Sequence, residues 1–139
     1  MKKLILNIFT RILWIRARQS IQQNNPKIIG ITGSVGKTTT RDFLSTILSS
    51  QYTIQAAKRS FNTPIGIAFT ILGIEKSPYS NPFRWIHLIV SVFISPLPKF
   101  DILILEMGAD TPGDISDLLS CVSIDYAIIT HITENHIAE

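Results

Sequence analysis

Cysteine is nearly absent from this 139-residue chain, in which Cys121 is the single one. One cysteine cannot form an internal disulfide, and it excludes a metal site built from several cysteines. A reducing compartment such as the cytoplasm is therefore the expected location. Cys121 itself follows an apolar helical pattern, which favours a small residue of the core.

Acidic residues are missing from the start of the chain. Five of the 13 basic residues fall in the first 18 positions with no acid among them, whereas eight of the ten acids lie from Asp101 onward. The formal net charge of +3 hides this asymmetry. With 45% hydrophobic and 17% charged residues, the composition is typical of one globular, rather apolar domain.

Apolar runs of the length that crosses a bilayer, about 20 residues, are also missing. The strongest run, Trp85 to Leu97, spans 13 residues and contains His87 and Pro96. We expect a buried or interfacial helix there. Positive charge is concentrated in one terminal helix, so the sequence does not favour binding to nucleic acid.

Residues 1–20 predict a basic amphipathic helix. Asn7 and Arg11 interrupt the continuous apolar core that a signal peptide needs, and no small-residue cleavage site follows, so the sequence argues against a signal peptide. Two interpretations stay open: peripheral contact with an anionic membrane surface, or packing on the domain with the arginines in solvent, which is slightly favoured. The apolar side is expected at Leu4, Ile5, Ile8, Phe9, Ile12 and Ile15, and the polar side at Lys3, Asn7, Arg11 and Arg18.

The stretch Ile28 to Thr40, IIGITGSVGKTTT, predicts a phosphate cradle. A β-branched run leads into a turn that carries Gly33 and Gly36, and a helical pattern follows. In such a unit the backbone N–H groups and the helix N-terminus face an anion, Lys37 adds a cation, and the Thr38 hydroxyl binds magnesium. The spacing is shorter than in the common P-loop, and a plain glycine turn with a solvated Lys37 is the alternative.

The remaining patterns predict an α/β fold, a mostly parallel sheet with flanking helices of the P-loop NTPase-like type. A first β-α-β unit is expected to be parallel and right-handed. The predicted strands are Lys27–Thr32, Tyr52–Ala57, Asp101–Glu106 and a buried Tyr126–Thr130. The first predicted helix after the glycine turn has Phe43, Leu44, Ile47 and Leu48 on one face. A second helix starts at Pro64 after a cap at Asn62 or Thr63. A third starts with a capping box at Thr111 to Asp114 and has Ile115, Leu118 and Leu119 facing inward.

Polar residues follow two of these strands. Glu106 ends the apolar run DILILE, and ligands of α/β sheets lie at the carboxyl ends of strands, so this carboxylate is a candidate magnesium ligand opposite Thr38. An exposed glutamate that merely ends a strand is the alternative. His131, Glu134 and His136 follow the last strand and are candidates for a metal or phosphate, with zinc disfavoured for want of a second cluster.

Four separated stretches together resemble the Mur ligase family. They are ITGSVGKTTT, SFNTPIGIAFTIL, LEMGADTPGDI and AIITHITENH. They are similar, in that order, to the family's ATP-binding loop, an asparagine-bearing loop and helix, the magnesium-binding strand, and the histidine loop. The resemblance covers Lys27 to His136 and is nearest to the members that add D-alanyl-D-alanine. Together with the helical pattern at the start of the chain, it divides the sequence into a basic amphipathic N-terminal helix over 1–24 and an incomplete central ATP-binding domain, its N-terminal part, over 25–139.

The resemblance also implies roles for single residues. Lys37 would contact the β- and γ-phosphates of ATP, and Thr38 and Glu106 would hold a first Mg²⁺. His136 would help to bind a second ion, and Lys37 and His136 would be the catalytic residues. The nucleotide would contact Gly33, Ser34, Val35, Gly36, Lys37, Thr38, Thr39 and, by a weaker transfer, Asn62.

The implied activity is that of an ATP-dependent amide ligase of peptidoglycan precursor synthesis. The expected location is the cytoplasm, with the inner face of the membrane as an alternative. ATP would phosphorylate a UDP-muramoyl-peptide carboxylate, and the amine of D-alanyl-D-alanine would attack the acyl phosphate. Family members also carry a UDP-binding domain, a modified lysine and a C-terminal domain that closes over ATP. His131 stands where the family usually has asparagine, and Asn135 where a small residue is common. We therefore expect a fragment or a truncated product.

Two other functions are open. One is a non-catalytic nucleotide-binding module that contacts a membrane through residues 1–20. The other is an unrelated P-loop ATPase or kinase, which explains Lys37 and Glu106 but leaves the stretches SFNTPIG and HITENH unexplained.

Overall fold

Helices and strands alternate along the chain except in its middle, where two helices follow one another. A computed structural model describes residues 2–57, 63–75, 82–109 and 111–133. The elements are α1 (Lys2–Asn24), β1 (Lys27–Thr32), α2 (Lys37–Leu48), β2 (Ile54–Ala56), α3 (Pro64–Ile71), α4 (Pro82–Ile94), β3 (Ile102–Glu106), α5 (Asp114–Cys121) and β4 (Tyr126–Ile129).

The described strands form one parallel sheet in the order β2-β3-β1-β4. The predicted α/β fold with a mostly parallel sheet and flanking helices is confirmed. Within it, β2 does not pair with β1, the strand that precedes it in the chain. It pairs with β3, which lies between them, and Ile54 faces Ile102 in that ladder.

The register places the ends of β1 and β3 side by side. Ile31 of β1 is aligned with Glu106 of β3, and the Met107 N–H donates to the Ile31 carbonyl at 2.8 Å. Ile31 also faces Ile128 of β4. The glycine turn after β1 and the carboxylate that ends β3 therefore lie at the same edge of the sheet.

Apolar layers cover both faces of the sheet. One core contains Phe69 of α3, Leu103 and Leu105 of β3, and Leu118 of α5, with Leu13 of α1 packed among them. On the other face, α2 packs its half-buried leucines on β1 and β3 through Leu44, Leu48, Ile31 and Ile104. Burial of these side chains supplies the main driving force for the fold.

The structure places α1 on the domain, as the packing interpretation expected, but it rotates the helix. Trp14 Nε1–H donates to the Pro64 carbonyl at 3.1 Å, so the buried side is centred on Leu13 rather than on the predicted isoleucines. Ile8 and Ile15 are exposed, and for these two the predicted apolar side was wrong. The division of the chain at residue 24 stays a prediction.

Three further expectations need correction. Leu119 was predicted to face inward and is exposed, because α5 packs through Leu118. β4 was predicted to be buried, yet Tyr126 and Ile129 are exposed because β4 is an edge strand that pairs with β1 alone among the described strands. On α2, Phe43 and Ile47 are both 64% exposed although they share a helical side with the packed leucines.

The starts of two helices test the capping predictions: the start of α3 is as predicted, and the start of α5 is not. Thr63 is the N-cap of α3, and its hydroxyl accepts from the Gly66 N–H at 3.2 Å, which settles the choice between Asn62 and Thr63. For α5 the N-cap is Gly113, with a left-handed backbone and no side-chain cap. Thr111 still bonds to the Asp114 carboxylate, but ahead of the helix.

Candidate functional site

The glycine turn between β1 and α2 has the backbone that only glycine adopts easily. Gly33 has φ +129° and Gly36 has φ +92°. At Gly33 space is also short, since a Cβ there would lie 2.1 Å from Thr130 Oγ1. The turn therefore packs directly on the residue that follows β4.

The N-terminus of α2 opens out of this turn. Gly36 is its N-cap and makes no side-chain cap hydrogen bond. The Thr40 N–H donates to the Gly36 carbonyl at 2.9 Å, so the N–H groups of residues 37–39 precede the intrahelical bonds. These N–H groups and the positive end of the helix dipole suit an anion.

Lys37 folds back over the turn. Its ammonium group donates to the Gly33 carbonyl, which closes a loop over the backbone between the two glycines. The cation is therefore held at the entrance of α2, where the uncapped N–H groups also lie. A phosphate at this position would meet both.

Two backbone amides of the glycine turn bond to the segment after β4. The N–H groups of Ser34 and Val35 donate to the His131 carbonyl at 2.9 and 3.4 Å, and the Thr133 N–H donates to Ser34 Oγ at 3.2 Å. The sequence pattern predicts that successive amides of the turn face an anion. In this structure the amides of Ser34 and Val35 hold the segment after β4 instead.

Thr38 and Glu106 meet across α2 and β3. Thr38 Oγ1 donates to Glu106 Oε2 at 3.2 Å, and Glu106 is only 2% exposed. The alternative of an exposed glutamate at a strand end is therefore wrong. The parallel register of β1 and β3 explains the contact, because only the four residues 33–36 separate the end of β1 from the start of α2.

Arg41 is a member of this site that the sequence patterns did not reveal. Its Nη1 lies 2.7 Å from Glu106 Oε1, and both side chains are buried. Its other nitrogens donate to Asp42 Oδ1 at 2.9 and 2.7 Å. One signal was present: Arg41 lies three residues after Thr38, on the same side of a helix, and a buried carboxylate needs a cationic partner.

The donor atoms fit a magnesium ion. The Thr38 hydroxyl and the Glu106 carboxylate are hard oxygen ligands of the kind that Mg²⁺ takes, with water or phosphate completing its shell. Arg41 occupies Oε1, and Oε2 is the oxygen that faces Thr38. A metal here would share the carboxylate with the guanidinium.

Of the other predicted residues, His131 alone lies in the described part of the chain. It is exposed after β4, and its carbonyl accepts from the glycine turn. Asn62, Glu134 and His136 fall in residues 58–62 and 134–139, outside the described residues, so the second ion site stays a prediction. In the described ranges, no three His, Cys, Asp or Glu side chains are grouped as a metal site requires. Within those ranges we also find no helix with the length and apolar character to span a membrane.

Comparison with known proteins identifies the family. The Mur ligase middle domain matches residues 31–139, most of the chain. This chain belongs to the Mur ligase family. The resemblance stated from four motifs is confirmed, and the alternative of an unrelated P-loop ATPase is excluded.

Individual Mur ligases resemble the chain over most of its length. The UDP-N-acetylmuramoyl-tripeptide--D-alanyl-D-alanine ligase of Bacillus subtilis is 30% identical over 123 residues, 88% of this chain and 22% of that protein. The ligase of the same name from Buchnera aphidicola is 30% identical over 90% of this chain and 21% of its own. The chain thus spans about a fifth of the length of these curated relatives.

Solved Mur ligase structures share the fold. MurF ligase from Thermotoga maritima, in complex with ADP, superposes with a TM-score of 0.65 at 25% identity and covers 91% of this chain and 25% of that one. MurF from Acinetobacter baumannii gives a TM-score of 0.59 at 23% identity and covers 87% of this chain and 21% of that one.

Proposed function

We propose that this chain is the nucleotide-binding part of an ATP-dependent amide ligase that acts in the cytoplasm on peptidoglycan precursors. The observation that carries the proposal is the contact of Thr38 with the buried Glu106 beside the uncapped N-terminus of α2. A hydroxyl, a carboxylate, a lysine and free helix N–H groups at one edge of a sheet form a site for a magnesium–triphosphate complex.

In this proposal each described residue has one task. Lys37 binds the β- and γ-phosphates once its contact with the Gly33 carbonyl is exchanged for them. Thr38 and Glu106 hold the Mg²⁺, which supplies neutralisation of charge as the phosphoryl group moves. The N–H groups of residues 37–39 bind phosphate oxygens. Asn62 and His136 retain their predicted roles near the nucleotide and at a second ion.

The relatives' name gives the two molecules that are joined, and the family resemblance implies the route between them. The carboxylate of a UDP-muramoyl peptide attacks the γ-phosphorus of ATP, which forms an acyl phosphate and releases ADP. The amine of D-alanyl-D-alanine then attacks the acyl carbon and loses a proton as the C–N bond forms, and phosphate leaves with the electron pair of the cleaved C–O bond. The names of the Bacillus and Buchnera relatives support this choice of substrates.

Nucleotide binding is the step to test on this chain. We expect Mg²⁺-dependent binding of ATP, measured by calorimetry, that Lys37→Ala weakens at least tenfold. Lys99→Ala removes an exposed lysine from a distant loop and is the matched control. Equal ATP affinity of the Lys37→Ala variant and the unmodified chain would remove the basis of the proposed site.

We also propose peripheral membrane contact through residues 1–20. Arg11 and Arg18 are exposed on the outer side of α1, with Ile8 and Ile15 beside them. A basic helix side of this kind is attracted to anionic lipid head groups. This contact also supports the second candidate function, a nucleotide-binding membrane module without ligase activity. Phosphate release that requires both peptide substrates, assayed on the full natural gene product, separates the ligase from that module.

A further inference from the structure

The helix α4 carries a stripe of exposed apolar side chains. The stripe follows helical spacing along the exposed side of α4, where the Arg16 guanidinium of α1 lies 5.8 Å from the Phe93 ring centre. Its end residues Phe83 and Ile94 are 78% and 80% exposed, which is unusual for large apolar side chains grouped on one helix. The α4 stripe consists of Phe83, Ile86, Val90, Phe93 and Ile94.

The orientation of the stripe is set by packing on the opposite side of α4. Trp85 is buried there, and its ring stacks on Phe9 of α1 with centroids 5.3 Å apart. At the other end, Arg16 of α1 donates to the carbonyls of Val92 and Ser95 at 3.2 and 2.9 Å. Because α4 is held at both ends, its stripe cannot turn inward without breaking these contacts.

The stripe continues onto α1. Ile8 and Ile15 each directly precede a residue that touches α4, so they lie about 100° around α1 from that contact, on the exposed side. Their exposure therefore extends the apolar surface of α4 onto the neighbouring helix α1. Arg11 and Arg18 border it on α1, and Arg84 on α4, all exposed.

This two-helix surface has one sign of charge. No Asp or Glu occurs in the sequence of α1 or of α4, and Asp42 is the first acid of the chain. Apolar side chains bordered by arginines complement the phosphates and upper acyl chains of an anionic bilayer. Two copies of the chain joined through this face would instead bring like charges together.

We propose that the α4 stripe, with Ile8 and Ile15, docks on an anionic phospholipid membrane. The stripe enters the interfacial layer while Arg11, Arg18 and Arg84 lie at the level of the lipid phosphates. With 13 residues, α4 is about 20 Å long, too short to cross a hydrocarbon core of about 30 Å, so it lies in the membrane plane. The inference rests on the proposed membrane contact of α1 and adds the surface that enters the lipid.

Vesicle co-sedimentation tests the proposal. We expect the chain to bind vesicles of phosphatidylcholine with phosphatidylglycerol much better than vesicles of phosphatidylcholine alone, and salt to weaken that binding. A stripe variant (Phe83→Gln, Ile86→Gln, Val90→Gln, Ile94→Gln) should lower the partition at least tenfold while ATP affinity is retained. The control variant Phe43→Gln, Ile47→Gln removes equally exposed apolar side chains from α2 and should bind like the unmodified chain.

The arginine variant Arg11→Gln, Arg18→Gln separates the two membrane proposals. If it loses binding to anionic vesicles while the stripe variant keeps it, the contact of α1 survives and the docking of α4 is wrong. If the unmodified chain binds neither kind of vesicle but forms a dimer in solution, and the stripe variant abolishes that dimer, a second copy covers this face. The proposal is then also overturned.

A fluorescent label at a single site tests the docking of α4 without the multiple substitutions of the stripe variant, which could misfold. In a Cys121→Ser background, an environment-sensitive dye on Ile86→Cys should brighten and shift to the blue with anionic vesicles. The same dye on Ile47→Cys of α2 should not. An unchanged spectrum at position 86, in a chain that still binds ATP, contradicts the docking of α4.

Discussion

Arg41 of α2 and Glu106 of β3 form a buried ion pair, with Nη1 and Oε1 2.7 Å apart. The pair joins the helix that follows the glycine turn to the strand beside it. The Glu106 oxygen on the other side accepts from Thr38. The guanidinium thus orients the carboxylate that we propose as a magnesium ligand.

We predict that Arg41→Met destabilises the fold by about 3 kcal/mol, because it leaves a carboxylate in the interior without its cation. Urea unfolding measures the loss. Arg41→Lys is the control that keeps the charge but not the planar guanidinium, and it should lose less. The double variant Arg41→Met, Glu106→Leu should be clearly more stable than the sum of the two single losses. Strict additivity would show that the two side chains do not interact.

The hydroxyl of Thr38 is predicted to act through the metal. Thr38→Val keeps the shape of the side chain and removes the oxygen that contacts Glu106. We expect the affinity for ATP with Mg²⁺ to fall about tenfold, toward the affinity without the ion. Thr46→Val, the same change two turns along α2 at an exposed position, is the control. An equal stimulation by Mg²⁺ in Thr38→Val and in the unmodified chain would assign the hydroxyl no part in holding the ion.

Gly33 and Gly113 offer a matched pair of positive-φ glycines. An alanine at Gly113 meets open space, so Gly113→Ala should cost only the backbone strain, about 1–2 kcal/mol. At Gly33 the new Cβ would lie 2.1 Å from Thr130 Oγ1, which must move. Gly33→Ala should therefore lose more stability in urea unfolding and should also weaken ATP binding. Similar losses at both glycines would show that the close approach to Thr130 is not needed.

The ion pair of Lys27 with Asp125 predicts a pH dependence of stability. The N–H of Ile28 and then Lys27 hold the pKa of Asp125 below its usual 3.8, and the hydrogen bond to Asp125 raises the pKa of Lys27 above 10.5. The Asp125 contribution is present above about pH 4 and is lost as pH falls through the lowered pKa. The Lys27 contribution is present below about pH 10 and is lost as pH rises through the raised pKa.

Thermal unfolding between pH 2 and 6, and above pH 9, checks this linkage. Asp125→Asn should reduce the loss of melting temperature at both ends of the range. Asp117→Asn removes an exposed carboxylate of α5 and is the control. It should leave the fall of the melting temperature above pH 9 unchanged. If the melting temperatures of Asp125→Asn and of the unmodified chain fall equally above pH 9, the contribution of Lys27 is refuted.

Much of the fold followed from local patterns. Each of three segments is a continuous run of residues: the β-branched run of β1, the glycine turn and the apolar run of β3. Their residue types and the positions of the glycines therefore predict a strand, a turn and a strand. The placement of Lys37, Thr38 and Glu106 at one sheet edge followed as well, because parallel strands end together. The family resemblance added a role for each of them, and those roles stay predictions.

The amino-acid sequence alone determined the α/β class, the phosphate-type turn and the family, since these follow from patterns and motifs whose residues are each contiguous in the chain. Only the tertiary structure decided the strand order, the pairing of Arg41 with Glu106, the use of the Ser34 and Val35 amides, and the outward stripe of α4. The physical reason is that an amphipathic pattern shows that a helix has two sides, but the neighbours that pack on it determine which residues are buried. Ile8, Ile15, Phe43 and Ile47 are apolar in sequence and exposed in the fold for that reason.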